Sequence, residues 1–193
     1  IVEFLSRQMD PAEMLAVEIK QYVGGKLRTL VPRVIGQMAE RAQPERKKWD
    51  EPSVLQELQR RRGEAEATVA SRILDWAKKR DIHLVYGTGA RTGAVGPWVR
   101  HKGVDHRLFY IRTYGQISVE LAWMASRDES PFQPEDRRRE LLQKLNETPG
   151  LDLSEDRIDK YPSISLEALV EEQARNRFLR TFDWVIEKIN FLV

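Results

Sequence analysis

Four short runs of β-type sequence between residues 82 and 123 constrain the fold of this chain most strongly. The segments that join them, such as residues 102–105 and 113–115, are too short for crossover helices and favour antiparallel hairpins. Apolar and polar residues alternate from Gln116 to Trp123, which predicts a strand with one buried and one wet face. These runs therefore predict an antiparallel sheet.

Helix signals flank this predicted sheet on both sides. Asp50 can cap a helix that carries Pro52 in its first turn and ends at Gly63, and a second helix should follow over residues 64–80. Further helices are predicted after Pro134, after Ser165 and around the apolar positions of residues 178–189. The fold class predicted for this part is α+β, with helices packed on one antiparallel sheet.

The first 37 residues have a different pattern. A short helix that ends at residues 10–11, a strand over residues 13–23 and a second strand over residues 27–35 form a helix and a hairpin. Such a unit has too little apolar surface to stand alone, so we expect residues 1–37 to be the C-terminal edge of a larger, truncated domain. Residues 38–48 are polar and charged and are predicted to be a linker, and residues 49–193 form the α+β domain.

Composition excludes several classes of protein. The 193 residues include no cysteine, so disulfide frameworks and thiolate metal clusters are excluded, and only three histidines are present. No apolar run approaches the roughly 20 residues that a membrane-spanning helix needs. We expect a cytoplasmic protein without a membrane partner.

Basic residues are concentrated in the predicted sheet. Residues 87–115 carry five basic side chains against Asp105 alone, although the formal net charge of the whole chain is only +2. Interleaved aromatic rings complete a mixture that can neutralise phosphates and stack bases. The alternative is a solvated sheet face whose aromatic residues serve the core. The candidate nucleic-acid-binding residues are Arg91, Trp98, Arg100, Lys102, Arg107 and Arg112.

Two further motifs suggest chemistry but leave alternatives open. Glycines in residues 87–96 could cradle a phosphate, but Thr92 replaces a glycine of the dinucleotide pattern, and a hairpin loop or a loop that clasps nucleic acid remains possible. Glu18 and Lys20, with Asp10 upstream, have the spacing of a magnesium-dependent nuclease strand. The same triplet also occurs on solvated edge strands. No catalytic residue is assigned.

A resemblance rests on residues 1–9, 13–22 and 30–37. This stretch resembles the end of a restriction-endonuclease-like domain in uncharacterised bacterial proteins, and residues 49–193 resemble the C-terminal domain attached to it. In that family the acidic and lysine motif lies upstream of such a segment. The resemblance implies that the magnesium-binding residues belong to an upstream domain and that the present chain needs no cofactor of its own.

Three functions follow from these patterns. The first is a non-catalytic accessory domain of a bacterial nuclease that binds nucleic acid or guides the nuclease to its target. The second is a magnesium-dependent nuclease that uses Glu18 and Lys20. The third is a protein-interaction or dimerisation module, for which a homo-oligomer is possible.

Overall fold

The strands and helices of the chain fall into two units, divided between Glu45 and Arg46. The structure is a computed structural model that describes residues 16–24, 27–35, 48–90 and 92–191. The helix predicted before residue 10, Arg91 and all of the predicted linker except Lys48 lie outside these ranges. Within the first unit, β1 (Ala16–Gly24) and β2 (Leu27–Ile35) pair as an antiparallel hairpin, which confirms both predicted strands.

The second unit is built from five helices and one antiparallel sheet in its described part, as the sequence predicts. Its helices are α1 (Glu51–Arg62), α2 (Glu64–Lys78), α3 (Leu121–Ala125), α4 (Glu135–Asn146) and α5 (Glu172–Asn190). Its strands are β3 (His83–Tyr86), β4 (Ala94–His101), β5 (Val104–Arg107), β6 (Phe109–Arg112), β7 (Gln116–Val119) and β8 (Ser163–Ser165). Short 3₁₀ turns span Glu155–Arg157 and Leu166–Leu169.

Local sequence explains where the first helices begin and end. The Asp50 carboxylate accepts a hydrogen bond from the backbone of Ser53, and the Ser53 hydroxyl accepts one from the backbone of Asp50. This reciprocal capping box satisfies two of the free donors at the N-terminus of α1. Gly63 has a φ of 91°, a conformation that other residues adopt only with strain, and it separates α1 from α2.

Strand order in the sheet is β3-β4-β6-β7-β8. β5 lies off this path and pairs with β4, on the same edge of β4 as β6. Neighbouring strands of the sheet are antiparallel. One face packs against the helices, where Phe109 contacts the rings of Trp76, Phe178 and Phe182 at centroid distances of 6.4, 5.4 and 4.6 Å. These rings lie in the centre of the hydrophobic core.

A β-bulge divides the strand opposite β4. Trp98 pairs with Arg107 and Val95 pairs with Ile111, so two residues of β4 face the three residues 108–110. One extra residue in a strand reverses the alternation of side chains beyond it. Leu108 and Phe109 are consequently both fully buried in the core.

One predicted strand of the sheet is corrected, and one strand was not predicted. The strand predicted to run from Gln116 to Trp123 ends at Val119, and Leu121 begins α3. Leu121 happens to continue the alternation of β7, but the buried residues of the short helix are Leu121 and Met124, which are three residues apart as in a helix. β8 was not predicted from the sequence, because its three residues carry no periodic signal and pair with β7 from more than forty residues away.

Candidate nucleic-acid interface

The face of the sheet opposite the helices carries most of the sequence-predicted site residues. Through the register of the strands, Trp98 and Arg107 form one cross-strand pair, Arg100 and Asp105 form another, and Arg112 is opposite Ala94. These side chains are half-buried or exposed, apart from the small Ala94. We call the surface that bears Trp98, Arg100, Arg107, Tyr110 and Arg112 the polar face.

The bulge is what brings the arginines together. With strict alternation, Arg107 and Arg112, five residues apart, would point to opposite faces of the sheet. The extra residue between them reverses the alternation, so both arginines share the polar face with Tyr110, which pairs with Ser118. Sequence analysis named both arginines, but it contained no signal for the bulge that puts them on one surface.

Aromatic rings hold the arginine side chains in place. The Arg107 guanidinium carbon lies over the ring of Trp98 at 4.6 Å and over the ring of Trp123 at 5.3 Å. Arg112 lies over the ring of Tyr110 at 5.4 Å, and Arg127 lies over Trp123 at 5.3 Å. These contacts fix flexible cations against flat surfaces, which lowers the entropy lost when the cations bind an anion.

The rings are themselves positioned by the sheet. The indole N–H of Trp98 donates to the phenol oxygen of Tyr110 at 3.1 Å. A β-carbon at Gly96 would lie 2.7 Å from two carbons of the Tyr110 ring, so the bare glycine lets that ring lie against β4. Burial raises the pKa of Tyr110, and the phenol therefore keeps its proton at neutral pH. We call Trp98, Arg107, Tyr110, Arg112 and Trp123 the arginine–aromatic cluster.

Glu120 is the residue of this region that sequence analysis missed as a site. It follows β7 directly and is only 5% exposed. The backbone N–H of Glu120 donates to the carbonyl oxygen of Leu108, the residue after Arg107, at 3.2 Å. Burial raises the pKa of the Glu120 carboxyl group, and the positive charges of Arg107 and Arg112 act in the opposite direction. In the described part of the chain its carboxylate accepts no hydrogen bond and forms no ion pair. The alternating pattern predicted only an exposed position for it.

Several donors beside Glu120 are also unpaired. The described residues include five buried side-chain nitrogen or oxygen atoms without a hydrogen-bond partner, and three of them are Arg107 Nε, Arg112 Nε and Trp123 Nε1. An unsatisfied buried polar group costs about 1–3 kcal/mol. Buried polar atoms without a partner are few in native proteins, so three of them around one group of side chains make this region unusual.

The remaining predicted residues lie at the rim or outside the described ranges. Arg100 has a 72% exposed side chain and a 3.6 Å ion pair with Asp105, a surface contact that contributes little stability. Lys102 lies in the predicted connection of residues 102–105, in the turn between β4 and β5, where a two-residue hairpin requires positive φ, here 49° at Lys102 and 82° at Gly103. Arg91 lies outside the described residues.

The other two motifs occupy separate places. Gly87 and Ala94 are joined by a backbone hydrogen bond, and the residues after Gly93 form β4 rather than the helix that a dinucleotide loop needs. In β1, Lys20 Nζ and Glu18 Oε2 are 4.0 Å apart, so the two side chains share a face as their spacing predicts. Among the described residues there is no group of three or more acidic or histidine side chains that could hold a metal ion.

Comparison of the chain with protein-family models, curated proteins and solved structures found no match. In the ranges that the structure describes, no helix has both the length and the apolar character needed to cross a membrane. The functional argument therefore depends on the geometry of the polar face.

Proposed function

We propose that the polar face binds nucleic acid and that residues 49–193 form a non-catalytic accessory domain, which guides a bacterial nuclease to its target. The observation that carries the binding proposal is the position of three arginines, Arg100, Arg107 and Arg112, on one sheet surface with the Trp98 and Tyr110 rings. The guiding role depends on the resemblance of the first 37 residues to a nuclease domain.

The chemistry of the cluster fits phosphate better than a neutral partner. Guanidinium groups form charge-assisted hydrogen bonds with phosphate oxygens through their fixed donors. The stacked positions of Arg107 and Arg112 leave those donors ordered before the ligand arrives. Asp105 and Glu120 offset part of this positive charge, but the three arginines outnumber them and Asp105 is a solvated partner of Arg100.

A flat sheet with aromatic rings and cations is suited to flexible single strands. Single-stranded nucleic acid places its phosphates on a cationic groove and its bases on aromatic or guanidinium planes. No helix of the duplex-reading kind is needed for this mode. We therefore expect tighter binding of single-stranded than of duplex oligonucleotides, with DNA and RNA both to be tested.

The experiment is an electrophoretic mobility-shift and fluorescence-anisotropy titration over a salt series. Binding should weaken as the salt concentration rises. For single strands, each lost phosphate contact should make the slope of log binding constant against log salt concentration shallower by about 0.7. Arg100→Ala/Arg112→Ala should bind more weakly with a shallower slope. The matched control is Arg137→Ala/Arg139→Ala, which removes two exposed arginines of α4 that pair with Glu140 and Glu135.

Two results would refute the proposal. One is no detectable binding of any oligonucleotide at low salt, and the other is equal binding by the Arg100→Ala/Arg112→Ala variant and the α4 control. The same samples separate the alternatives: Glu18-dependent cleavage with Mg²⁺ would indicate a nuclease, and a concentration-dependent mass without nucleic-acid affinity would indicate a dimerisation module.

A further inference from the structure

The Glu120 carboxylate does not suit a surface that binds only phosphate. A carboxylate beside a phosphate repels it, and it lowers the affinity that Arg107 and Arg112 would otherwise provide. Glu120 is nevertheless 95% buried, so its desolvation is costly, and its backbone is hydrogen-bonded to Leu108, the residue that follows Arg107. Glu120 is the N-cap residue of α3, but its side chain makes no capping hydrogen bond to that helix.

A ligand that pairs with both the Glu120 carboxylate and the neighbouring arginines must both donate and accept hydrogen bonds. Within the described residues the Glu120 carboxylate forms no hydrogen bond or ion pair and so supplies two acceptor oxygens. The guanidinium groups of Arg107 and Arg112 likewise form no hydrogen bond or ion pair there and supply donors. Phosphate offers only acceptors when fully ionised. The edge of a nucleobase offers donors and acceptors side by side in one plane.

Among the bases, guanine matches this set best. Its N1–H and N2–H₂ groups are adjacent donors that one carboxylate can accept together, and its O6 and N7 atoms are acceptors for an arginine. Adenine and cytosine each present one exocyclic amino group, and uracil and thymine present one ring N–H. A carboxylate therefore forms two hydrogen bonds with guanine and fewer with any other base.

We propose that Glu120, together with Arg107 and Arg112, reads the edge of a guanine in the single strand bound on the polar face. This inference rests on the proposed function, since the phosphate contacts of the arginines bring the strand to the site. Glu120 is then a specificity-determining residue, whereas Arg100 and Lys102 at the rim contribute affinity without distinguishing bases.

The test uses the full chain and short oligothymidylates that carry one central guanine, inosine, adenine or cytosine, measured by fluorescence anisotropy at a fixed salt concentration. A two-point base contact should favour the guanine oligonucleotide by about 5- to 150-fold over plain oligothymidylate. Inosine lacks only the N2 amino group of guanine and should fall between the two. Stacking alone would instead make inosine, guanine and adenine similar.

Glu120→Gln keeps the shape of the side chain but replaces one acceptor oxygen with a donor. This variant should lose the preference for guanine and keep its affinity for plain oligothymidylate within a few-fold. Glu187→Gln, on the exposed surface of α5, changes the net charge equally and should keep the preference.

The outcomes separate the inference from the proposed function. Salt-dependent binding without a guanine preference, a preference for another base, or a guanine preference that survives in Glu120→Gln would each overturn the guanine site and leave nucleic-acid binding intact. The absence of binding by any oligonucleotide would overturn both. The base series on the unmodified protein gives this answer even if the Glu120 variant fails to fold.

Discussion

Replacement of Gly96 by alanine tests whether the backbone of β4 supports the cluster. A β-carbon at Gly96 would lie 2.7 Å from two carbons of the Tyr110 ring and 2.8 Å from the carbonyl oxygen of Phe109. Carbon atoms in contact prefer separations of about 3.5–4.0 Å, so the ring would have to move by about 1 Å. The hydrogen bond from Trp98 to the Tyr110 phenol resists that movement.

The cost follows from overpacking in a rigid site. Extra methyl groups in well-packed regions destabilise proteins by about 1–3 kcal/mol, and we expect Gly96→Ala to lie in this range. The assay is the free energy of unfolding from urea denaturation. Gly87→Ala is the matched control, because its nearest contact would be the β-carbon of Ala94 at 3.5 Å, an ordinary separation. The control should be neutral or stabilising by about 0.4–1 kcal/mol through the unfolded chain.

A double-mutant cycle separates the ring from the backbone. In a Tyr110→Ala background the ring clash disappears, and only the contact with the Phe109 carbonyl remains, so Gly96→Ala should cost less there than in the wild-type protein. Equal costs in the two backgrounds, or a Gly96→Ala protein as stable as wild type, would refute the packing of Tyr110 on the strand.

Three further outcomes follow from the structure. Phe109→Ala removes a fully buried ring that contacts three others and should lower the free energy of unfolding by about 3–5 kcal/mol, measured by denaturation. Hydrogen bonds from Arg60 and Arg61 lower the pKa of Glu57 to about 2. The stability that ionised Glu57 contributes is therefore present above its ordinary pKa of 4.5 and is lost as the pH falls from 4.5 towards 2. Glu57→Gln should flatten the dependence of the free energy of unfolding on pH in that interval. Burial raises the pKa of Glu120, so ionisation of this carboxyl group reduces the stability of the protein as the pH rises through the ordinary range of a glutamate. In denaturation experiments Glu120→Gln should therefore be more stable than wild type at pH 7. A gain in stability that persists unchanged in acid would contradict this assignment.

The parts of the fold that were predictable have local causes. The bounds of α1 are specified by a few neighbouring residues. They are the capping pair Asp50 and Ser53, Pro52 in the first turn, and Gly63 with its positive φ. Ser165 was predicted to cap a helix and does accept a hydrogen bond from the backbone of Glu167, at the start of a short 3₁₀ turn. Signals of this kind require no knowledge of distant contacts.

The parts that were not predictable depend on distant pairing. The bulge is defined by the pairing register between β4 and the strand formed by β5 and β6. The apolar residues Leu108 and Phe109 indicate a central strand, but the sequence does not show which residue of that strand is the extra one. The Lys102-Gly103 turn lies in the predicted connection of residues 102–105 and fixes where β4 ends, but it does not specify the register beyond β5. Hydrophobic alternation carries no information about such a shift.

The same bulge links the core to the proposed binding surface. Leu108 and Phe109 are both turned into the core, and their burial anchors the change of phase that places Arg107 and Tyr110 together on the polar face. Deletion of one residue here would restore strict alternation and would turn either the arginines or the core residues to the wrong side. A bulge at this position is consequently a requirement of the site as well as of the fold, because no substitution on a regular strand could put Arg107 and Arg112 on one face.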